Sequence, residues 1–171
     1  MPGTRNQERF EALLQEHRGI IYRLTTTFAR HEEDRQDLAQ EITIQLWRSF
    51  ANYDESRAKF STWLYRIALN VAISQLRRKA PSNLTEPLDR QHLDRIPARP
   101  TDPGEDERLP ALRAFIEQLD PLNRALILLY LEDRPYAEIA DILGITETNV
   151  ATKLNRIKQK LKKELNHEPR T

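Results

Sequence analysis

The stretch FSTWLYRIALNVAISQLRRK, residues 60–79, decides how this chain folds. Its apolar residues recur at i, i+3, i+4, i+7 and i+11, a spacing that predicts one buried face of an amphipathic helix. These residues are Phe60, Trp63, Leu64, Ile67 and Val71. The other face carries polar and aromatic side chains, and the helix ends in three consecutive cations. The stretch therefore predicts a helix that packs on a core and offers its second face to a partner.

Composition predicts a soluble, helix-rich cytoplasmic protein. The chain has 171 residues, of which 31% are charged and 39% hydrophobic, enough for one ordinary domain or two small ones. Its longest apolar run, Ala125–Leu131, is too short to span a bilayer, and the first residues lack the apolar stretch of a secretory signal. There is no cysteine and the four histidines are scattered, so we expect no disulfide, metal or cofactor.

The distribution of proline divides the chain into two helical modules. Residues 81–110 contain six of the ten prolines, are polar and show no sustained apolar period, which predicts a linker between modules 1–80 and 111–171. In the first module, helical periodicity predicts a helix through residues 10–24 and another over 34–50, followed by a loop to residue 59. No run alternates long enough to predict a strand, so the predicted fold class is all-α.

The stretch YAEIADILGITETNVATKLN, residues 136–155, has the spacing of a helix-turn-helix. Ala140 allows close approach of two helices, Gly144 suits the tight turn, and Val150 anchors the second helix. The outward positions of that helix are Thr148, Asn149, Thr152, Lys153, Asn155 and Arg156. An ordinary helical hairpin would give the same apolar pattern. Residues 148–171 carry seven Lys and Arg against two Asp and Glu, which favours a polyanion partner.

A carboxylate stripe lies on the predicted helix 34–50 and just before it. Glu33, Asp37 and Glu41 are four residues apart and share one helical face. Alone, this stripe is compatible with a solvated face, with half of a carboxylate metal site, or with a protein contact.

Three stretches taken together resemble the extracytoplasmic-function group of sigma-70 factors. They are DRQDLAQEITIQLWRSFANYD (34–54), the helix 60–79, and LDPLNRALILLYLEDRPYAEIADILGITETNVATKLNRIKQKL (119–161). The resemblance covers roughly residues 8–80 and 111–165. It implies a sigma-2 domain and a helix-turn-helix sigma-4 domain joined by a flexible linker.

The resemblance also implies a function and its partners. Such factors bind core RNA polymerase at the β′ clamp and β flap, select promoters and promote melting, while catalysis belongs to the polymerase. The partners implied are core polymerase, double-stranded and melted promoter DNA, and an anti-sigma factor.

Site residues follow from the matching positions. The −10 contacts implied are Lys59, Ser61, Thr62, Tyr65, Arg66, Asn70, Arg77, Arg78 and Lys79. The −35 contacts implied are Thr148, Asn149, Thr152, Lys153 and Arg156, and the departures at Ala151 and Asn155 leave the −35 sequence open. The polymerase contacts implied are Asp37, Gln40, Glu41 and Trp47. We expect Leu38 and Trp63 in the core, and Tyr65 exposed beside Arg66.

Two rival hypotheses come from other classes. A helix-turn-helix repressor or activator with an N-terminal sensor domain would explain residues 111–171, but it leaves the helix 60–79 and the DLAQE segment unexplained. An enzyme has little support, because the sequence has no Gly-rich phosphate loop, no nucleophile motif and no clustered catalytic histidines.

Overall fold

The computed structural model describes residues 2–79 and 108–167, and within these ranges it is built entirely of helices and their connections. The all-α prediction is confirmed. The helices are α1 (Pro2–Glu16), α2 (Arg18–Phe28), α3 (Glu32–Phe50), α4 (Phe60–Lys79), α5 (Arg108–Gln118), α6 (Pro121–Leu131), α7 (Tyr136–Leu143) and α8 (Glu147–His167). Most of the predicted linker, residues 81–107, lies outside the described residues. Residues 108–110, which the sequence predicts as linker, form the first turn of α5.

The first module is organised around α4, which packs against α2 and α3. The predicted stripe of α3 is confirmed, because Leu38, Ile42, Leu46 and Phe50 are all buried. On α4, Phe60 and Leu64 are buried as predicted, while Ile67 and Val71 are only half-buried. The buried face of α4 is therefore rotated from the predicted stripe and continues through Ala68, Leu69 and Ala72.

The first predicted helix is two helices, because the chain bends at His17. This residue has φ −106° and ψ 15°, and its Nδ1 lies 2.9 Å from the carbonyl oxygen of Leu13. The amide of Ile20 donates to the His17 carbonyl at 3.0 Å, a tighter turn than an α-helix makes. Gly19 adds the low helix propensity that makes such a break inexpensive. Both helices still place Phe10 and Leu24 in the core, which is why the apolar spacing ran across the bend.

The second module contains the predicted helix-turn-helix. Helices α7 and α8 are joined by a short turn in which Gly144 has φ 69°, and the amide of Ile145 donates to the Ala140 carbonyl at 3.1 Å. This is the left-handed cap that a glycine favours at the end of a helix. Val150 and Leu154 of α8 are fully buried, as predicted.

The two modules pack against each other. Helix α4 contacts α6 and α7, and α2 contacts α5 and α6. The guanidinium of Arg124, on α6, lies over the ring of Phe28, on α2, with its Cζ 5.9 Å from the ring centroid. The sequence predicted a tether between separate modules and gave no indication of this interface.

Gly144→Ala should lower the free energy of unfolding by about 1–2 kcal/mol, because a Cβ strains the left-handed backbone at this position. Gly144→Asn should recover part of the loss, since asparagine tolerates this region better. The measurement is urea unfolding followed by circular dichroism.

Gly19→Ala is the matched control. It lies inside α2, where a Cβ would meet only the flexible end of Arg23, whose Nη1 is 3.0 Å away. Alanine there should be neutral or stabilising by up to about 1 kcal/mol. Equal stability of Gly144→Ala and the wild type would contradict the assignment of the turn.

Candidate nucleic-acid interface

The loop that leads into α4 is held by an aromatic cluster. Phe50, Tyr53, Phe60 and Trp63 form it, with ring centroids 4.9 Å apart for Tyr53 and Trp63 and 5.4 Å apart for Phe60 and Trp63. Tyr53 also donates from its hydroxyl to the Ala58 carbonyl at 3.2 Å. Trp63 is half-buried in this cluster, in agreement with its predicted packing role. The cluster therefore holds the loop in place at the start of α4.

A second turn in the same loop is fixed by Asp54. Its Oδ1 accepts from the Ser56 amide at 2.9 Å and from the Ser56 hydroxyl at 2.6 Å. The Ser56 hydroxyl and amide together hold the pKa of Asp54 below its usual range. Lys59, which follows this turn, is exposed at the start of α4.

Thr62 and Tyr65, predicted to face DNA, are buried. Their exposed fractions are 7% and 1%, because the second module covers this part of α4. The Thr62 hydroxyl donates to Oε1 of Glu138 at 3.0 Å, and the Tyr65 hydroxyl donates to Oε2 of Glu132 at 3.4 Å. The prediction that Tyr65 is exposed is wrong for this arrangement. Its cause is a tertiary contact that helical periodicity cannot indicate.

The surroundings of Tyr65 are strongly charged. Arg134 places its Cζ 5.1 Å from the centroid of the Tyr65 ring, and Arg23 donates a hydrogen bond to Glu132. Burial, reinforced by the Glu132 carboxylate, raises the pKa of Tyr65 above its ordinary value. The hydrogen bond to Glu132 likewise raises the pKa of Arg23. Arg23 thus pairs with the Glu132 carboxylate that approaches the phenol, while Arg134 pairs with Glu138.

Arg66 is partly exposed and paired with the second module. Its Nη2 lies 2.6 Å from Oδ2 of Asp141, and its Nε donates to the Asp141 carbonyl at 3.4 Å. One turn later Asn70 is exposed, and Ser61 at the start of the helix is half-buried. The predicted −10 residues are therefore brought to one helix, but only some of them face solvent.

The cations at the end of α4 are all exposed. They are Arg77, Arg78 and Lys79. Lys79 donates to Oδ1 of Asp34 at 3.1 Å, across the start of α3. Their place in the last turn also complements the helix dipole.

The outer face of α8 carries the predicted −35 residues. Thr148, Asn149, Thr152 and Arg156 are exposed and Lys153 is half-buried. Thr146 caps the helix, since its hydroxyl accepts from the Asn149 amide at 3.1 Å. A rigid helix start with this polar face has the form that reads the major groove in helix-turn-helix proteins.

The predicted polymerase-binding residues lie on α3. Asp37 and Gln40 are exposed, and Trp47 is 44% exposed with its ring 5.2 Å from that of Phe10. Glu41 is half-buried and accepts a hydrogen bond from Gln45 at 3.1 Å. Leu38 is buried, as predicted.

The sequence did not indicate three residues that contact α4. Glu132, Glu138 and Asp141 face α4 from the second module. The available signal was an excess of acid in residues 112–147, with seven Asp and Glu against three Lys and Arg. That count does not indicate which surface the carboxylates face. Among the described residues, no cluster of potential metal ligands occurs and no helix is long and apolar enough to span a membrane.

Two family models match the chain, one on each module. The model for Sigma-70 region 2 matches residues 13–81, and the model for Sigma-70, region 4 matches residues 109–161.

Curated sigma factors are similar in sequence to this chain over most of its length. It is 32% identical over 158 residues to the ECF RNA polymerase sigma factor SigE of Mycolicibacterium smegmatis, covering 90% of this chain and 60% of that protein. It is 30% identical over 166 residues to the RNA polymerase sigma-H factor of Pseudomonas aeruginosa, covering 91% of this chain and 86% of that protein.

A solved structure shares the fold. It is the sigma factor RpoE in complex with the anti-sigma factor NepR from Bartonella quintana, with a TM-score of 0.72 and 17% identity. The match covers 94% of this chain and 99% of that one.

Tyr65→Phe should flatten the dependence of stability on alkaline pH. A raised pKa in the folded state favours the neutral phenol, so its contribution is fully present below about pH 10 and is lost as the pH rises through the raised pKa. The measurement is the free energy of unfolding between about pH 8 and pH 11.

Tyr22→Phe is the control for this experiment, because Tyr22 is 71% exposed. The free energy of unfolding of Tyr22→Phe should fall with rising pH as steeply as that of the wild type. A Tyr65→Phe protein whose stability falls as steeply as that of the wild type would contradict the burial of the phenol.

Proposed function

This chain belongs to the extracytoplasmic-function group of the sigma-70 family, and from that membership we propose which of its surfaces perform the steps of transcription initiation. It is a promoter-specific initiation factor of RNA polymerase. Residues 1–80 bind core polymerase and capture the −10 element, and residues 111–171 bind the −35 element. The chain supplies promoter choice and melting, while the polymerase supplies catalysis. A factor with these partners acts in the cytoplasm.

The observation that carries the proposal is the division of polar groups between two helices in two modules. Asn70 and the cations at the end of α4 are exposed on one, and Arg156 with its neighbours on α8 is exposed on the other. Amide groups suit unpaired bases and cations suit phosphates, so α4 has the side chains that a melted strand requires. Helix α8 has those that a duplex groove requires.

Helix α3 is the proposed contact with the β′ clamp of the polymerase. Its exposed face combines the carboxylate of Asp37, the amide of Gln40 and the partly exposed ring of Trp47. An aromatic anchor with polar neighbours is a common composition for a binding hot spot. We propose the β flap as the contact of the second module.

An anti-sigma factor is a further proposed partner. The related structure of RpoE was solved with the anti-sigma factor NepR, and this chain shares its fold.

The rival hypothesis of a polymerase-independent regulator is less well supported. It needs only residues 111–171, whereas the match to Sigma-70 region 2 spans residues 13–81. A pull-down with core RNA polymerase separates the two hypotheses, because only the sigma function requires that partner.

Asn70→Ala should impair promoter melting without unfolding the protein. Its side chain is exposed, so the free energy of unfolding should change by less than about 0.5 kcal/mol. We expect normal binding to core polymerase and lower permanganate reactivity of promoter thymines, on a promoter selected in vitro with the wild-type holoenzyme. A premelted promoter should restore part of the reactivity.

Two variants on the same helix serve as controls. Ser74→Ala removes another exposed polar group and should melt the promoter normally. Leu64→Ala should cost about 2–5 kcal/mol of stability and lose every activity together, because Leu64 is fully buried. Unchanged permanganate reactivity in Asn70→Ala would refute the proposed role of this face.

Arg156→Ala should reduce discrimination at the −35 element. A bidentate arginine contact to guanine contributes about 1–3 kcal/mol of preference over the wrong base. The measurement compares transcription by the holoenzyme from a selected promoter with an intact or a scrambled −35 element.

Lys162→Ala is the control for Arg156→Ala. Lys162 is exposed in the last part of α8, which ends at His167. Its loss should weaken phosphate attraction equally on both templates. If Arg156→Ala leaves the ratio between the templates unchanged, the recognition helix is assigned wrongly.

A further inference from the structure

Helix α4 meets an acidic surface of the chain's own second module. The carboxylates of Glu132, Glu138 and Asp141 contact Tyr65, Thr62 and Arg66 respectively, at distances of 3.4, 3.0 and 2.6 Å. Each contacted residue belongs to the part of α4 to which strand capture is assigned. We call the three carboxylates the acidic cap.

We propose that the acidic cap holds the free chain in a closed state, in which the second module covers the strand-capturing face of the first. The proposal rests on the function proposed for α4. Its physical basis is that a carboxylate, like a phosphate, accepts hydrogen bonds from hydroxyl and guanidinium groups. The cap thus occupies the donors that a DNA strand would use.

Burial makes the two states mutually exclusive. Tyr65 is 1% exposed and Thr62 is 7% exposed, so neither a base nor a phosphate reaches them while α6 and α7 remain in place. The modules must separate before these residues contact DNA. Asn70 and Lys59 stay exposed in the closed state. A DNA strand can therefore make its first contact with these two residues.

Further polar contacts support the same interface. Arg23 of α2 pairs with Glu132, and Arg30 after α2 has its Nη1 3.7 Å from Oε2 of Glu117. The side chains of Arg23 and Arg30 are 49% and 30% exposed, so salt screens these pairs. These partly exposed ion pairs are the salt-sensitive part of the interface. The closed state is therefore one that polymerase, DNA or salt can shift.

A charge-neutralising variant tests the cap. Glu132→Gln, Glu138→Gln and Asp141→Asn are combined in one triple variant of the full chain. The matched control is Glu8→Gln, Glu11→Gln and Glu16→Gln, which removes the same charge from exposed positions of α1. Asp141→Asn alone is the mild variant, because the Asp141 side chain is 58% exposed and its loss does not endanger folding.

The first readout is the distance between the modules. The chain has no cysteine, so Gln36→Cys and Gln159→Cys, both exposed, give a unique pair of dye positions. We expect lower energy transfer in the triple variant than in the control, and an intermediate value in Asp141→Asn. Raising NaCl from about 50 mM to about 500 mM should lower the transfer in the wild type as well. Equal transfer in all proteins at all salt concentrations would overturn the proposal.

The second readout is the affinity for a single-stranded oligonucleotide that carries the non-template −10 strand of a selected promoter, measured by fluorescence anisotropy without polymerase. If the closed state masks the face, apparent affinity is reduced by the fraction of open molecules. The triple variant should therefore bind the oligonucleotide about three- to tenfold more tightly than the charge-matched control. A triple variant with lower energy transfer but no gain in affinity over the control would also overturn the proposal.

Failure of the proposed function has a different signature. If the wild-type holoenzyme does not melt a promoter, or if Asn70→Ala melts it normally, the role of α4 is refuted whatever the energy transfer shows. If melting by the holoenzyme depends on Asn70 and the triple variant behaves like its control, only the acidic cap is refuted.

Discussion

The burial of α4 against α2 and α3 is the packing constraint on which the other features of the structure depend. Leu64 and Ala68 are fully buried in this contact, and full burial of a leucine contributes about 1.5–3 kcal/mol. Because the helix cannot rotate without exposing these residues, the directions of its polar side chains are fixed as well. Asn70 therefore faces solvent and Tyr65 faces the second module. The strand-binding site that we propose on this helix requires such a rigid support.

The aromatic residues near the proposed DNA site stabilise the loop that precedes α4. Trp63 and Phe60 contact Tyr53, and Tyr53 in turn holds the loop through the Ala58 carbonyl. The loop then delivers Lys59 to the start of α4. Base stacking and core packing use the same side chains, so composition alone does not distinguish them. Here the ring distances assign Trp63 and Phe60 to packing.

The interface between the modules adds charged and hydrogen-bonded contacts to the apolar packing. Hydrogen bonds and ion pairs, such as Arg66 with Asp141, lie there beside buried apolar residues of both modules, which belong to one cluster. Partly exposed ion pairs contribute about 1 kcal/mol or less each, so such an interface is suited to opening.

The sequence by itself determined the helical class, the helix-turn-helix and most of the core, because these depend on local periodicity and on single residues such as Gly144. The stripe of α3 and the buried residues of α8 were predictable for the same reason. Helical spacing indicated the polar faces of α4 and α8, and the family resemblance predicted their contacts with DNA. Only the tertiary structure decided the bend at His17 and the burial of Tyr65. The apolar residues keep their helical spacing across the bend at His17, so hydrophobic periodicity does not indicate the bend. The burial of Tyr65 depends on carboxylates more than sixty residues away, and no local pattern relates the two.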